Sequence, residues 1–417
     1  MGPIRPQGRH HYESAPKASL RVLVVGAGVG GISIARGLLR DGHDVTVFEQ
    51  RPEVRAGGGA VTIWSNGETV LAQLGVEMEG AGQQLSTVRV MMSTGRRLTT
   101  LDVTAIVNRM GAPVRMVPRR VLLERLLEGF PAERIRCSAH VVGVAESGTG
   151  ARVEFADGSC AEGDLVIGAD GLHSTVRKIV GAPPAVPTGW CSWQGLGILP
   201  EGTDEHVAML VIGEHGNLGL WPAGGTEVQW WFDLPWSPEF VRPDSPIEVI
   251  RARFTGWSDQ VDRLLATLSD SDLAHSPYPH FRHPIPGPGR GPVTLLGDAA
   301  HTMPPTLAQG TNQALLDTMV LCKALSDFQA GMVGDVSAAL RWYEKTRRHR
   351  VAAVSRVASL QVSHGEAVLK PAAMVSDRFM TWMLATFLRL VSHRRMSAGI
   401  SRDLAAATSA GRGEHAL

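Results

Sequence analysis

The stretch that most constrains this chain is Leu20–Glu49, LRVLVVGAGVGGISIARGLLRDGHDVTVFE. Val22–Val25 is a continuous apolar run, the pattern of a parallel strand buried on both faces. Gly26, Gly28 and Gly31 follow at the G-x-G-x-x-G positions. The first permits a tight turn, the second lets backbone approach a pyrophosphate, and the third brings helix close to strand. Ile32, Ala35, Leu38 and Leu39 then give one apolar helical face, Gly42 closes the helix, and Val45–Phe48 reads as a second strand ending in Glu49. An acid roughly 20 residues past the turn is placed to accept hydrogen bonds from the ribose hydroxyls of an adenine dinucleotide. An acid there, where a phosphorylated ribose would want a cation, favours FAD or NAD over NADP, and the motif does not distinguish the first two.

With 417 residues, 44% of them hydrophobic, the chain is long enough for two or three domains and a large core. A net charge of +1 points to no nucleic-acid partner. Cys137, Cys160, Cys191 and Cys322 lie far apart. That spacing argues against dithiol redox chemistry and a cysteine metal site, no metal is expected, and a cytoplasmic location follows from the cysteine usage. Residues 1–19 are polar, lack the apolar segment of a signal peptide and read as a disordered leader. The apolar run Phe379–Val391 contains Arg389 and is too short to span a bilayer, so no transmembrane segment is expected.

Beyond the opening unit, Gln50 begins QRPEVRAGGGAVTIWSN, where Gly57–Gly59 make a flexible loop before a strand at Ala60–Trp64. Arg55 in this loop is either solvated or turned toward a cofactor. Glu68–Leu74 has helical spacing, and Val88–Leu101 reads as two short strands around a turn. VPRRVLLERLLEGF is a further helix burying Leu122, Leu123, Leu126 and Leu127. Arg119 stands at its start, where a cation opposes the helix dipole unless it meets a phosphate or ribose. Strands follow at Val141–Val144 and Val153–Phe155. DLVIGADGLHSTVRKIVG then repeats the opening logic, with a buried strand at Leu165–Ile167, a turn at Asp170-Gly171 and a cap at Ser174. The turn lies just past the carboxyl end of a buried strand, where open α/β sheets bind ligands.

From Pro183 to about Gly287 the alternating segments Ala208–Ile212, Gly216–Trp221 and Thr226–Asp233 imply an antiparallel sheet. Seven of the ten tryptophans fall here, a density suited to a flat apolar ligand. PVTLLGDAAHTMPPTLAQGTNQALLD returns the chain to the first domain. Val293–Leu296 is its strand, and Asp298 would suit a hydroxyl of a cofactor chain. A helix starting near Gly310, with Thr311 and Asn312 in its first turn, presents free N–H groups to a group that becomes negative. His301 reads either as an acid or base or as a turn residue. The basic YEKTRRHRV segment within a helix over Ala338–Val357 reads as a solvated face. Residues 360–400 are expected to form helices packing on the cofactor domain. No residue in the sequence declares itself as a general base.

Together GAGVGG with Glu49, GADGLHSTVR at 168–177 and GDAAHTMPPTLAQGTNQALLD at 297–317 resemble the single-component flavoprotein monooxygenases of the para-hydroxybenzoate hydroxylase type. AVTIWSNG, PRRVLLERLL, WQGLG and FDLPW are similar to the branch holding salicylate hydroxylase, urate hydroxylase and zeaxanthin epoxidase. The resemblance implies FAD as the bound dinucleotide, transient NADH or NADPH, and O2. It implies Gly26, Gly28, Gly31 and Glu49 at the adenosine end, Arg119 on ribose or phosphate, and Asp298 on the ribityl chain; Gln50, Arg55 and Val141 are further cofactor-binding candidates, Arg55 facing a phosphate or the flavin edge. Asp170 and Gly171 would serve both FAD and NAD(P)H, and Gly310, Thr311 and Asn312 would line the isoalloxazine. Gln194 stands in WQG where many relatives resemble WRG, and with His301 it is a candidate for catalysis. Leu316 stands where an acid is common before Asp317, a change expected to affect only helix packing.

The implied fold is α/β, a discontinuous Rossmann-like FAD-binding domain (20–85, 113–182 and 288–358) with an inserted antiparallel-sheet substrate domain (86–112 and 183–287) and C-terminal helices (359–417). The implied reaction is hydroxylation or epoxidation of a flat apolar, aromatic or polycyclic small molecule through a flavin C4a-hydroperoxide, by a monomer or homodimer. The competing readings are a flavin halogenase, disfavoured because W-x-W-x-I-P is missing, an FAD-dependent reductase or dehydrogenase without oxygen transfer, and a flavin-carrying binding protein.

Overall fold

The structure is a computed structural model that describes residues 19–148, 150–199, 206–369 and 375–392, so all but Ser19 of the expected leader lies outside the described residues. Arg21–Val25 is the central strand of a five-stranded sheet. Its order is Val293–Leu295, Leu165–Gly168, Arg21–Val25, Asp44–Phe48 and Ile135–Arg136, with every pairing parallel. The apolar runs of these strands are explained by cover on both faces. Val22 and Val24 pack with the helices Val29–Arg40 and Gly310–Gln329, whereas Leu23 and Val25 pack against Val141, Val153 and Phe155 of a small antiparallel sheet. The two-residue strand at Ile135–Arg136 carries too little periodicity to be read from sequence.

A seven-stranded sheet forms the second layer, in the order Tyr278–Arg282, Val186–Ile198, Glu227–Pro235, Gly216–Gly224, Val207–Gly213, Thr87–Met92 and Arg97–Asp102. It is mixed and not purely antiparallel as expected, because Thr87–Met92 pairs in parallel with Val207–Gly213. The physical reason is connectivity. These two strands are joined by a long crossover through the cofactor domain, and only hairpin neighbours are obliged to run antiparallel.

Strand alternation divides this sheet into two faces. Trp230, Phe232 and Leu234 join Trp193 in a core under the helices Pro246–Phe254 and Asp259–Thr267. Gln229, Trp231 and Asp233 point the other way, and the Gln229 side-chain oxygen accepts the Ala60 N–H of the cofactor domain at 2.5 Å. That second face therefore looks onto the first layer. Of the seven tryptophans, Trp193, Trp221 and Trp230 are buried core residues, while Trp231 lies on the inward-looking face with its ring against Trp221, centroids 5.8 Å apart.

The C-terminal part divides its allegiance. Val336–Leu369 packs along Gly310–Gln329 in the cofactor domain. Asp377–Val391 lies mainly on the strand Arg97–Asp102 and the helix Val103–Met110, where the cofactor domain was expected, and only its end reaches that domain, with Val391 beside Val351 and Val354. Its Asp377 carboxylate accepts hydrogen bonds from Arg97, the Thr99 hydroxyl and the Thr100 N–H, and Ala385 and Leu388 enter the core beneath the sheet.

Trp231 keeps its orientation because Gly219 opposite it has no side chain. A Cβ there would lie 2.0 Å from the indole. Gly219→Ala should therefore lower unfolding free energy by about 1–3 kcal/mol, the usual cost of overpacking. Chemical denaturation with tryptophan fluorescence checks this, and an unchanged midpoint and spectrum would refute it.

Candidate active site

The glycine turn is held by close backbone contacts. Gly26 adopts φ +102° and donates its N–H to the Phe48 carbonyl at 2.7 Å, while a Cβ on Gly31 would lie 1.8 Å from the Gly26 oxygen. Gly28 differs, because a Cβ there would meet only open space. The helix it begins has neither a side-chain cap nor an acid in its first turn, so its first N–H groups face that space. The Glu49 carboxylate accepts the Ala27 N–H and the Arg51 N–H, each at 3.0 Å, which fixes it beside the turn. Gln50 and Arg55 are exposed at the mouth, and Val141 is buried in the core, so it offers the cleft only backbone.

Arg119 and Asp298 are within electrostatic reach of each other. Arg119 is an exposed residue with protein packed close around its guanidinium. Loss of bulk water pulls its guanidinium pKa down, opposed by the nearby Asp298 and Tyr278. Asp170 is engaged differently from its fellow candidates. Its carboxylate accepts the Ser174 hydroxyl at 2.5 Å and the Thr175 and Val176 N–H groups at 2.7 and 3.1 Å, so it caps the helix Thr175–Ile179 while Gly171 turns the chain with φ +80°.

The helix Gly310–Gln329 also starts without a side-chain cap or an acid. Gly310 opens onto free space, as Gly28 does. Thr311 is half-buried, and Asn312 is wholly buried and committed elsewhere: its side-chain oxygen accepts the Trp64 N–H at 2.9 Å and its amide donates to the Thr62 and Ala308 carbonyls. Asn312 thus ties the helix start to the first domain segment, and what it offers a ligand is its backbone N–H.

His301 is 5% exposed, with its Nε2 2.6 Å from Asp317, whose other oxygen lies 2.5 Å from Arg347 Nε. Arg347 also donates to the Gln313 side-chain oxygen at 2.7 Å, Gln313 donates to Gln309 at 3.0 Å, and Asn66 donates to the same Gln309 oxygen at 3.1 Å. Asp317 further accepts the Gly297 N–H at 2.9 Å. Burial by itself would push the Asp317 carboxyl up, but His301 and Arg347 outweigh it and hold the pKa down at about 2. The basic segment is accordingly not a solvated face throughout, because Arg347 is 3% exposed and neutralises a carboxylate on the neighbouring helix. Helical spacing alone gave no sign of that pairing. Leu316 is buried in the core beside Asp317, as its position in the helix suggested. His301 is thus buried against Asp317, and Gln194 stands half-buried on the inward-looking face of the large sheet, opposite Trp231.

Two uncapped helix starts, two glycines with free space beside them, and Arg119 and Asp298 within electrostatic reach of each other are the groups this chain offers a dinucleotide. The FAD binding domain profile matches residues 19–358. The chain belongs to the FAD binding domain family. It is 29% identical over 397 residues to the aurachin C monooxygenase/isomerase of Stigmatella aurantiaca, covering 93% of this chain and 98% of that protein. It is 32% identical over 344 residues to the FAD-dependent urate hydroxylase of Klebsiella oxytoca, covering 80% and 87%. The structure of Klebsiella pneumoniae HpxO complexed with FAD and uric acid superposes with a TM-score of 0.80 at 27% identity, over 88% of this chain and 96% of that one. The cleft fits FAD: Gly28 leaves room where a pyrophosphate must approach, and donors without protein acceptors face the places where a dinucleotide carries oxygen. Among the described residues no His, Cys, Asp and Glu cluster could hold a metal ion, and no helix is long and apolar enough to cross a membrane.

Gly28→Ala should leave the stability of the FAD-free protein within about 0.5 kcal/mol, the range of an open-site substitution, but weaken FAD binding at least about tenfold, a cost of about 1.4 kcal/mol. Gly31→Ala should lower stability itself. Flavin titration and thermal melting separate the two, and equal effects on both measurements would contradict the assignment. Asp317→Asn should cost about 3–5 kcal/mol by leaving Arg347 buried without its counter-charge. Because the folded pKa of Asp317 is depressed, its contribution is present above the ordinary carboxylate range and is lost as pH falls toward about 2. The acid limb of the stability curve between about pH 4 and about pH 2 should be shallower in that variant. An identical limb would show that Asp317 does not carry it.

Proposed function

We propose that this chain is an FAD-dependent monooxygenase that uses NADH or NADPH and O2 to place one oxygen atom on a flat, mainly apolar, aromatic or polycyclic small molecule. The observation that carries the reading is the convergence of the FAD cleft with the inward face of the seven-stranded sheet, where Gln194 and Trp231 stand opposite each other. An aromatic wall beside a polar side chain suits a flat ring with a polar edge. Family membership and relatives named as hydroxylases and monooxygenases support it.

Bound FAD would supply two-electron transfer from the nicotinamide and activation of O2. The residues of this chain bind and orient. Gly26, Gly28, Gly31 and Glu49 would hold the adenosine and pyrophosphate, Arg119 the ribose or phosphate, and Asp298 the ribityl hydroxyls. The N–H groups of Gly310, Thr311 and Asn312 would face the pyrimidine side of the ring, where negative charge gathers on reduction. Asp317 and Arg347 keep that helix start rigid from beneath, with His301 as a positioning residue. The inward face of the sheet, with Trp221 and Trp231 upon it, would exclude water from the reacting atoms. The same arrangement suits a cytoplasmic enzyme acting on a free small molecule.

The purified protein should be yellow or take up FAD, and with NADH or NADPH it should consume O2 faster when an accepted ring compound is present. A panel of uric acid, salicylic acid, 4-hydroxyquinoline and indole, followed by mass spectrometry, should find a product heavier by one oxygen atom. Reduction of the flavin with transfer of hydrogen to substrate and no oxygenated product would replace the reading with that of a reductase. A protein that binds no FAD would overturn it altogether.

A further inference from the structure

On the inward face of the seven-stranded sheet lies a buried cluster separate from the residues assigned to FAD above. The Ser192 hydroxyl makes a short hydrogen bond with Asp233 and lies 2.6 Å from Nε2 of His280. His280 Nε2 and the carboxylate are 3.9 Å apart. The three come from different strands, Val186–Ile198, Glu227–Pro235 and Tyr278–Arg282, brought side by side by the pairing of Ser192 with Asp233 and with Tyr278. With the carboxylate ionised, one assignment satisfies both contacts: Ser192 donates to Asp233, and His280 Nε2–H donates to Ser192. That leaves Nδ1 of His280 bare, and it is a buried atom with no partner among the described residues.

The cluster occupies the sheet face that looks toward the cofactor domain. Asp233 shares its face with Trp231 and Gln229, and Gln229 touches the cofactor domain at Ala60. Tyr278, on the same face as Ser192, is within electrostatic reach of Arg119. Only one Asp233 oxygen is taken. The side chain keeps 12% of its surface exposed, against 5% for His280, and its second oxygen accepts no hydrogen bond from the described residues. A buried carboxylate with one hydroxyl partner and no cation beside it is costly, and a purely structural role would be filled as well by an amide.

We propose that Asp233 is the general base of this active site, and that the substrate is therefore a ring compound carrying an acidic O–H or ring N–H. The proposal rests on the monooxygenase reading above. The step is one proton transfer: the substrate O–H or N–H bond breaks, its electron pair stays on the ring, and the proton goes to the free oxygen of Asp233. The resulting anion is the more electron-rich ring that electrophilic oxygen transfer requires. Ser192 and His280 are positioning residues that hold the other carboxylate oxygen. Burial pushes the Asp233 carboxyl up to about 7, eased by the Ser192 hydrogen bond, which suits a base working near neutral pH. Burial lowers His280 to about 4, so it stays neutral there. The groups facing Asp233 are Ser192 and His280, with Cys191 behind them on the same strand, its thiol pushed up to about 12 by burial and by the Asp233 charge.

The test uses FAD-loaded wild type with matched probes, uric acid, salicylic acid and 4-hydroxyquinoline against 4-methoxyquinoline and naphthalene, with D233N and S192A as variants. The expected result is oxygenation of acidic probes only, with kcat/KM rising with pH through about 7. In D233N the value should fall about 100-fold, the worth of a general base, and the pH rise should vanish. S192A should lose roughly tenfold, one charge-assisted hydrogen bond, and keep a pH rise at a displaced midpoint. FAD content and melting temperature control for folding. A second measurement needs no substrate: the infrared carboxylic acid C=O band that grows from about pH 8 to about pH 6 in the wild type should be missing in D233N. Equal turnover of the methoxy and hydroxy quinolines, or an unchanged pH profile in D233N, overturns the base while leaving the monooxygenase reading intact. Oxygenation of no probe at all brings down the reading and the base together.

Discussion

A methyl group on residue 31 would lie 1.8 Å from the carbonyl oxygen of Gly26, and on that one contact the rest of the cofactor domain depends. Because neither residue carries a side chain in the way, the first helix can leave the first strand at once and pack directly on the sheet. Its free N–H groups then stand at the carboxyl ends of the parallel strands. The other elements are arranged around this point. Gly168 ends the neighbouring strand, Gly297 ends the one beyond it, and the helix beginning at Gly310 supplies a second set of free donors on the same side.

Donor-rich helix starts repel one another and need a rigid support. That support is the buried chain of His301, Asp317, Arg347, Gln313, Gln309 and Asn66, which ties three helices and the Gly297 turn together. Asp317 is satisfied on both oxygens, by His301 and Gly297 on one and by Arg347 on the other, which is the condition for a buried carboxylate to be tolerable. Asp233 is the contrasting case. It sits in a similarly dry place with a single hydroxyl donor, and its carboxyl moves up where that of Asp317 moves down. Two carboxylates of one chain, one paired and one nearly alone, thus divide support from chemistry by their surroundings.

Much of the cofactor domain was legible because parallel strands buried on both faces leave unmistakable apolar runs, and because glycine is required wherever backbones touch or φ is positive. The Ser174 cap, the turn at Gly171 and the start of the Gly310 helix were visible for the same local reasons. Asn312 was placed correctly at the helix start, but nothing local disclosed that its side chain would be spent on Trp64, Thr62 and Ala308. Arg347 was hidden among surface-type basic residues, since a helix pattern shows which face a residue occupies only when that face is uniformly apolar. The final helix lies mainly on the other layer than the one expected, because amphipathicity reveals that a helix packs, and not on what; its main partner was chosen by Asp377 meeting Arg97 and Thr99, 280 and 278 residues away in sequence.

The sequence by itself determined the glycine turn and the strand–helix–strand unit around it, because these follow from contacts between residues close together in the chain. Only the tertiary structure decided which face of the tryptophan-rich sheet looks inward, which charges are buried, and that Ser192, Asp233 and His280 share one hydrogen-bonded cluster. Asp233 and His280 lie 41 and 88 residues from Ser192 in sequence, on different strands. Their meeting depends on strand register, and register is set by the packing of the whole sheet.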